Sequence, residues 1–473
     1  MDQATHDVIV IGAGAAGLTA AGGCARLGLR VALVERDRMG GECLNTGCVP
    51  SKALLAAARR AHAARGSAMG VSTAGGEPRI DFAGVRAHVR GAIAAIAPHD
   101  AAERFEAWGV EVVRGEARFL DGGSVEVGGR RLRAPRIVVA VGSRPAVPGV
   151  EGLDGVPYLT NETLFDLDVL PRHLVVLGGG AVGLEMAQAF RRLGSAVTVL
   201  EAGEPLPRDD PEAAAVVLAR LRAEGVAVRA RTRATKAAAV PEGVRVEAGP
   251  GEAVTGSHLL VAAGRAPALA GLGLEAAGVE AGRDGIRVDA RRRTSNPRVF
   301  AIGDCREGPR LTHAAGYEGA LVTRQIALGL RAAADYRALP WVTYTDPELA
   351  QVGLTEDAAR ARHGGRVEVE RRPFADDDRA IADGDAAGFI KLVKVRGKAA
   401  GATIVGRGAG ELVLPWVLAI AGGKASPWAI AGAIVPYPTR SEISKAVAFA
   451  GYERLAFGRP ARLWARSLAR TRR

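Results

Sequence analysis

Cys43 and Cys48 stand five positions apart in the run Gly40-Gly41-Glu42-Cys43-Leu44-Asn45-Thr46-Gly47-Cys48-Val49-Pro50-Ser51-Lys52. Two thiols this close can take up and release an electron pair by opening and closing one S–S bond. On a straight helix five residues rise about 7.5 Å, beyond the ~7 Å Cα separation that a disulfide tolerates, so the segment must bend between the cysteines. Asn45, Thr46 and Gly47 supply that irregularity. Pro50 suits the first turn of a following helix, which puts Cys48 at a helix N-terminus, where the dipole favours a thiolate. Lys52, one turn on, adds a positive charge. Four cysteines in so long a chain do not make a secreted disulfide scaffold, and in the cytosol a close pair is more often catalytic than structural. Cys24 and Cys305 read as small buried hydrophobes.

The elements that must position this pair include one unit present twice. Val8 to Ile11 leads into Gly12-Ala13-Gly14-Ala15-Ala16-Gly17, a helix-compatible stretch to Gly28, and a strand Arg30 to Val34 ending at Glu35. Gly12, Gly14 and Gly17 allow a tight turn and a close approach of backbone to a pyrophosphate at the helix N-terminus, while Glu35 is placed to bond a ribose hydroxyl. The second copy runs from Leu174 to Leu177 through Gly178, Gly180 and Gly183, a helix to Leu193, and the strand Ala196 to Leu200 ending at Glu201. Two bound dinucleotides are implied. Glu201 would accept from a free ribose 2′-hydroxyl and repel a 2′-phosphate, which favours NADH; Arg208, close by in sequence, keeps NADPH as the alternative.

Composition sets the frame around these units. With 473 residues, 48% of them hydrophobic, the chain can bury several cores, and two to four domains are expected. The formal charge of +12 raises nucleic acid or a membrane surface as partners. The arginines, however, are scattered from end to end, and nucleic acid is not expected. No signal peptide precedes the strand at Asp7, and the stretch Leu412 to Ile420, ended by Gly422, Gly423 and Lys424, falls short of the ~18 residues that span a bilayer. A cytoplasmic protein is expected.

The cysteine segment resembles the redox motif of the pyridine nucleotide-disulfide oxidoreductases, the family of glutathione reductase, dihydrolipoamide dehydrogenase and mercuric reductase. The similarity covers nearly the whole chain. Ala140 to Pro145 resembles the segment closing the first FAD region, Ala263 to Pro267 its counterpart after the NAD domain, Thr294 to Asp304 the second FAD motif, and Tyr344 to Thr355 the opening of the dimerisation domain. The resemblance implies an α/β fold with two Rossmann-like dinucleotide-binding domains, for FAD and NAD(P), plus a C-terminal α+β dimerisation domain. The expected limits are 1–150 and 276–338 for the FAD-binding parts, 151–275 for NAD(P), 339–452 for dimerisation and 453–473 for a basic tail. It further implies FAD contacts at Gly12, Gly14, Gly17, Glu35, Gly41, Lys52, Gly115, Ala117, Ser143, Asp304 and Thr312, and NAD contacts at Gly178, Gly180, Gly183, Glu201 and Gly264. Cys43 would meet the substrate, Cys48 would face the flavin, and Lys52 and Glu185 would form an ion pair beside flavin N5. A thiolate-to-flavin charge-transfer band is expected of the reduced pair.

One departure bears on the acceptor. Members that reduce lipoamide or glutathione carry a His immediately before Pro-Thr, paired with a Glu five residues after it. Here the run is Pro436-Tyr437-Pro438-Thr439-Arg440-Ser441-Glu442, with Glu442 kept, Tyr437 in the His position, and the last histidine of the chain at His363. A phenol with a reference pKa of about 10 is a poor base near neutrality. Tyr at this place resembles mercuric reductase, although no Cys follows Cys305, where those enzymes use a C-terminal pair, and a separate N-terminal metal-binding domain is not expected. The acceptor is therefore read as a soft metal ion, a quinone or a disulfide, served by a homodimer in which Tyr437 and Glu442 reach the other subunit's site. The alternative within the family is a dihydrolipoamide dehydrogenase. In the tail, Arg462, Arg466 and Arg470 form a stripe with Leu463, Trp464 and Leu468 available for an apolar face, so peripheral contact with anionic lipid or an acidic partner stands beside a frayed basic terminus. A stronger form would make the chain an anchored electron-transfer protein with little turnover.

Overall fold

Val8–Ile11 is buried at every residue, so both of its faces and both of its edges must be covered. It takes parallel partners on each side, Val31–Glu35 with Val8 against Val31, and Arg136–Val139 with Val8 against Arg136. The computed structural model describes residues 4–66, 69, 78–249, 251–422 and 427–471. Arg472 and Arg473 of the tail, Gly423, Lys424 and the first three residues lie outside them. The first sheet has the order Val299–Ala301, Arg136–Val139, Val8–Ile11, Val31–Glu35, Val110–Arg114. Its edge strand Val299–Ala301 comes from beyond the second glycine-rich unit, so that unit is inserted into the first domain.

The inserted domain repeats the pattern with parallel strands in the order Val226–Arg229, Ala196–Leu200, His173–Leu177, His258–Val261. The chain entering and leaving it pairs with itself: Ser143–Pro145 and Arg265–Pro267 run antiparallel, with Pro267 opposite Ser143. In the C-terminal domain an antiparallel sheet of five strands, from Pro340–Thr343 to Val367–Pro373, packs the helix Glu442–Ala456 on one face and the helix Glu356–His363 on the other. Trp416 is fully buried there, its Nε1 donating to Ser444 Oγ at 3.2 Å. The architecture is thus two Rossmann-like domains plus a C-terminal α+β domain. Among the described residues no helix is long and apolar enough to cross a membrane.

Candidate active site

The bend expected between the cysteines lies at Thr46 and Gly47, between the short helix Gly41–Asn45 and the long helix Cys48–Arg65. Asn45 secures the first of these by donating its Nδ2 to Gly41 O at 2.8 Å and Met39 O at 3.0 Å. Cys43 is half-buried and Cys48 exposed at the helix N-terminus. Cys48 Sγ lies 3.3 Å from the hydroxyl of Thr312, which itself opens the helix Thr312–Leu328. The hydrogen bond from Cys43 pulls the Cys48 thiol down to about 6, with Thr312 and the Lys52 charge acting in the same direction against burial. The same bond, joined by burial, raises the Cys43 thiol. One proton is therefore shared unevenly, with Cys48 the thiolate.

Lys52 and Glu185 are brought together as expected, Nζ to Oε2 at 2.9 Å. Glu185 is 3% exposed rather than a solvated helix carboxylate, and its other oxygen accepts from Tyr344 N at 2.9 Å. The Lys52 amine also stands 4.3 Å from the centre of the Tyr344 ring. Three domains meet at this pair, because Lys52 rides on the redox helix, Glu185 on the inserted domain's first helix (Ala181–Leu193) and Tyr344 just past a strand of the third.

The two nucleotide cradles are built alike. Gly12 and Gly178 have φ of +103° and +114°, and an added Cβ would meet Ala140 O at 2.5 Å and Ala262 O at 2.4 Å, so only glycine fits either turn. Gly14 and Gly180 cap helices whose first amides point into the turn. Glu35 accepts from Ala13 N at 2.6 Å and Asp37 N at 2.8 Å; Glu201 accepts from Gly179 N at 2.6 Å and Gly203 N at 2.7 Å. Each carboxylate is thus held at the end of its strand with lone pairs left for a ribose. A groove lined by Gly12, Val34, Glu35, Gly115, Ala117 and Leu272 opens beside the first cradle, and the residues present fit the adenosine end of FAD. The backbones of Gly41 and Gly14 approach so closely that a Cβ on Gly41 would lie 2.7 Å from Gly14 Cα, which brings the redox segment onto the same turn. Gly264 follows the loop against which Gly178 packs, its carbonyl accepting from Ala146 N at 2.9 Å.

Ser143 and Asp304 bond to each other, Oγ to Oδ2 at 2.8 Å, and Arg265 Nε donates to Ser143 Oγ at 2.8 Å. Arg265 also pairs with Glu42, the neighbour of Cys43, and Asn161 Nδ2 donates to Glu42 Oε1 at 3.0 Å. Sequence reasoning passed over Glu42 and Arg265 as site residues, although both lie in segments that it singled out. Within one chain Tyr437 and Glu442 are not brought to the dithiol. Tyr437 is 70% exposed and donates its hydroxyl to Asp378 Oδ2 at 3.0 Å, a bond that pushes the phenol up from its ordinary value. Glu442 opens the helix Glu442–Ala456.

Fold and site together define a two-nucleotide redox protein with a dithiol where its domains meet. Residues 6–319 match the model of the family described as pyridine nucleotide-disulphide oxidoreductase, and residues 339–448 match that family's dimerisation domain. A mercuric reductase of Streptomyces lividans is 37% identical over 458 residues, covering 94% of this chain and 95% of that protein. A dihydrolipoyl dehydrogenase of Thermus scotoductus is 40% identical over 458 residues, covering 93% of this chain and 95% of that protein. Among solved structures, the Cu(II) complex of the HOCl-induced flavoprotein disulfide reductase RclA from Escherichia coli superposes with a TM-score of 0.84 at 27% identity, covering 93% of this chain and 99% of that one. The chain belongs to the pyridine nucleotide-disulphide oxidoreductase family, as an NAD(P)H-dependent flavoprotein with FAD as cofactor and a domain for homodimerisation.

Proposed function

We propose that this protein is a cytoplasmic homodimer, divided near residues 150, 275, 338 and 452, that passes electrons from NADH through Cys48 and Cys43 to a soft metal ion. Gly178, Gly180 and Gly183 would seat the reductant's pyrophosphate, with Glu201 accepting from the ribose and Gly264 beside the turn. Gly12, Gly14, Gly17, Glu35, Gly115 and Ala117 would hold FAD, with Ser143, Asp304 and Lys52 toward the flavin. FAD held there would supply hydride acceptance from the nicotinamide and a source of electron pairs for the dithiol. The Cys43–Cys48 disulfide accepts that pair with one proton, leaving a thiolate on Cys48 and a thiol on Cys43. Lys52, oriented by Glu185, keeps a positive charge beside the thiolate.

The observation that carries the acceptor is the Tyr437 hydroxyl bound to Asp378. A disulfide substrate releases a thiolate with a pKa near 8.5, and a phenol raised above its ordinary ~10 transfers a proton to it only uphill. A soft metal ion needs no such acid. It displaces the remaining proton as the two sulfurs ligate it. Two electrons then leave as the S–S bond re-forms, to one mercury(II) ion or to two copper(II) ions.

The test is steady-state NADH oxidation by FAD-loaded protein with mercury(II), copper(II), a quinone, lipoamide and glutathione disulfide side by side. Metal turnover that requires both Cys43 and Cys48, without lipoamide or glutathione turnover, is expected. Robust lipoamide turnover would overturn the metal reading in favour of a dihydrolipoamide dehydrogenase.

A further inference from the structure

Residues 454–473 carry seven arginines and no lysine or acidic residue, so the other 453 residues hold a net charge of only +5 of the chain's +12. The bulk arginine content hides this concentration. Among the described residues of the tail, Arg459–Thr471 is a helix of 13 residues, none of them buried. At 3.6 residues per turn, Arg459, Arg462, Arg466 and Arg470 fall within an arc of about 80°, with Trp464, Leu468, Ala461 and Ala465 on the opposite side. Trp464 is 68% exposed and Leu468 38%.

We propose that this helix is an interfacial anchor lying in the surface of an anionic lipid bilayer. Trp464 and Leu468 would enter the headgroup–acyl boundary, and the four arginines would remain at the lipid phosphates. Three features of the helix favour this occupant. Its two faces have different chemistry, and a bilayer surface satisfies both at once, whereas a nucleic acid would engage the arginines and leave Trp464 and Leu468 in water. Its charge is of one sign, which suits a continuous anionic surface. A second copy of the chain offers the same basic helix and would repel it. Thirteen residues extend about 20 Å as a helix, too short to span a membrane, so the helix lies on the surface. The proposal is independent of which acceptor the dithiol serves.

The experiment pelletes FAD-loaded full-length enzyme with vesicles of phosphatidylglycerol and phosphatidylcholine, or of phosphatidylcholine alone. The wild type is expected to pellet with the anionic vesicles and about tenfold less with the neutral ones. The double variant Trp464→Ala, Leu468→Ala should bind the anionic vesicles about tenfold more weakly, with NADH–ferricyanide turnover and dimer mass unchanged in the absence of lipid. Wild-type protein that stays in the supernatant overturns the proposal. So does a double variant that pellets like the wild type, since charge alone would then account for the binding and a nucleic acid would serve as well. A double variant that falls apart to monomers also overturns it, because the apolar face would then belong to the second copy.

Discussion

Thr312 Oγ1 sits 3.3 Å from Cys48 Sγ, joining the first turns of two helices that lie 264 positions apart in the chain. Two helix N-termini therefore converge on one sulfur, and the positive end of each dipole favours its thiolate. The Lys52 amine adds to this field, while Cys43 supplies the largest share by donating its own proton into the bond. The reduced pair thus has a built-in polarity: charge on Cys48 and the proton on Cys43.

This polarity makes a pH prediction. With the Cys48 thiol held down to about 6, the thiolate is present above that pH and lost as pH falls through it. The long-wavelength absorbance of the reduced, FAD-loaded enzyme should therefore grow as pH rises, reaching half its full value near 6. Thr312→Val removes a donor to the charged form and should move the midpoint upward by about one unit. An unmoved midpoint would show that the hydroxyl does not bond the thiolate.

Cys48→Ser should abolish metal reduction while leaving FAD bound, because the glycine turn and Glu35 that would hold the dinucleotide are untouched by the change, and in the proposed relay Cys48 is the port through which the disulfide receives electrons. The loss should exceed about 10³-fold in kcat, as expected when the nucleophile of a two-step relay is removed. Flavin absorbance of the dialysed variant checks retention, and undiminished turnover would sink the relay.

How far the sequence discloses this site depends on what kind of constraint acts on each residue. Gly12 and Gly178 are legible because a Cβ at either position would lie 2.5 Å or less from a backbone carbonyl oxygen, so no other residue is tolerated, and that demand repeats at a fixed distance from Glu35 and Glu201. Cys43, Cys48 and Lys52 are legible because their chemistry depends on local spacing. Glu42 and Arg265 meet only when two distant loops fold together, and nothing in either local pattern distinguishes them from solvated charges. The same holds for Glu318, which lies on the face of Thr312–Leu328 where a charge looks like an ordinary surface residue and is in fact fully buried. The tail shows the opposite difficulty: its stripe is visible in sequence, while its weight in the net charge is hidden by arginines elsewhere.

Tyr437→His should restore a group that can protonate a leaving thiolate, with Glu442 still in place to orient it. Lipoamide or glutathione disulfide turnover should then rise on the order of 10²-fold, the usual span of a single acid–base group, while metal reduction changes little. The comparison is made on the homodimer with the same acceptor panel. A variant with no gain toward disulfides would mean that Tyr437 only shapes the pocket and that the acceptor is selected elsewhere.

Glu318 ties the buried charges of the first domain to the turn at Gly303 that would present Asp304 to FAD. Its Oε2 accepts from Gly303 N at 2.7 Å, the amide just before Asp304, while Oε1 accepts from Arg306 Nε at 2.8 Å and Arg292 Nη1 at 3.2 Å. Arg306 is itself fully buried, so removing the carboxylate strands a guanidinium charge in the core. Glu318→Gln should cost roughly 3–5 kcal/mol of stability, the range for a buried ion pair that loses one charged partner. It should also weaken FAD binding, because the turn that presents Asp304 loses its charged acceptor at Gly303 N. Thermal unfolding of the cofactor-free protein reads the first effect, and the dissociation constant for FAD, measured well below the unfolding temperature, reads the second. A destabilised variant that binds FAD as tightly as the wild type would confine Glu318 to the core, since the Asp304 turn would then be held by Ser143 and Arg265 alone.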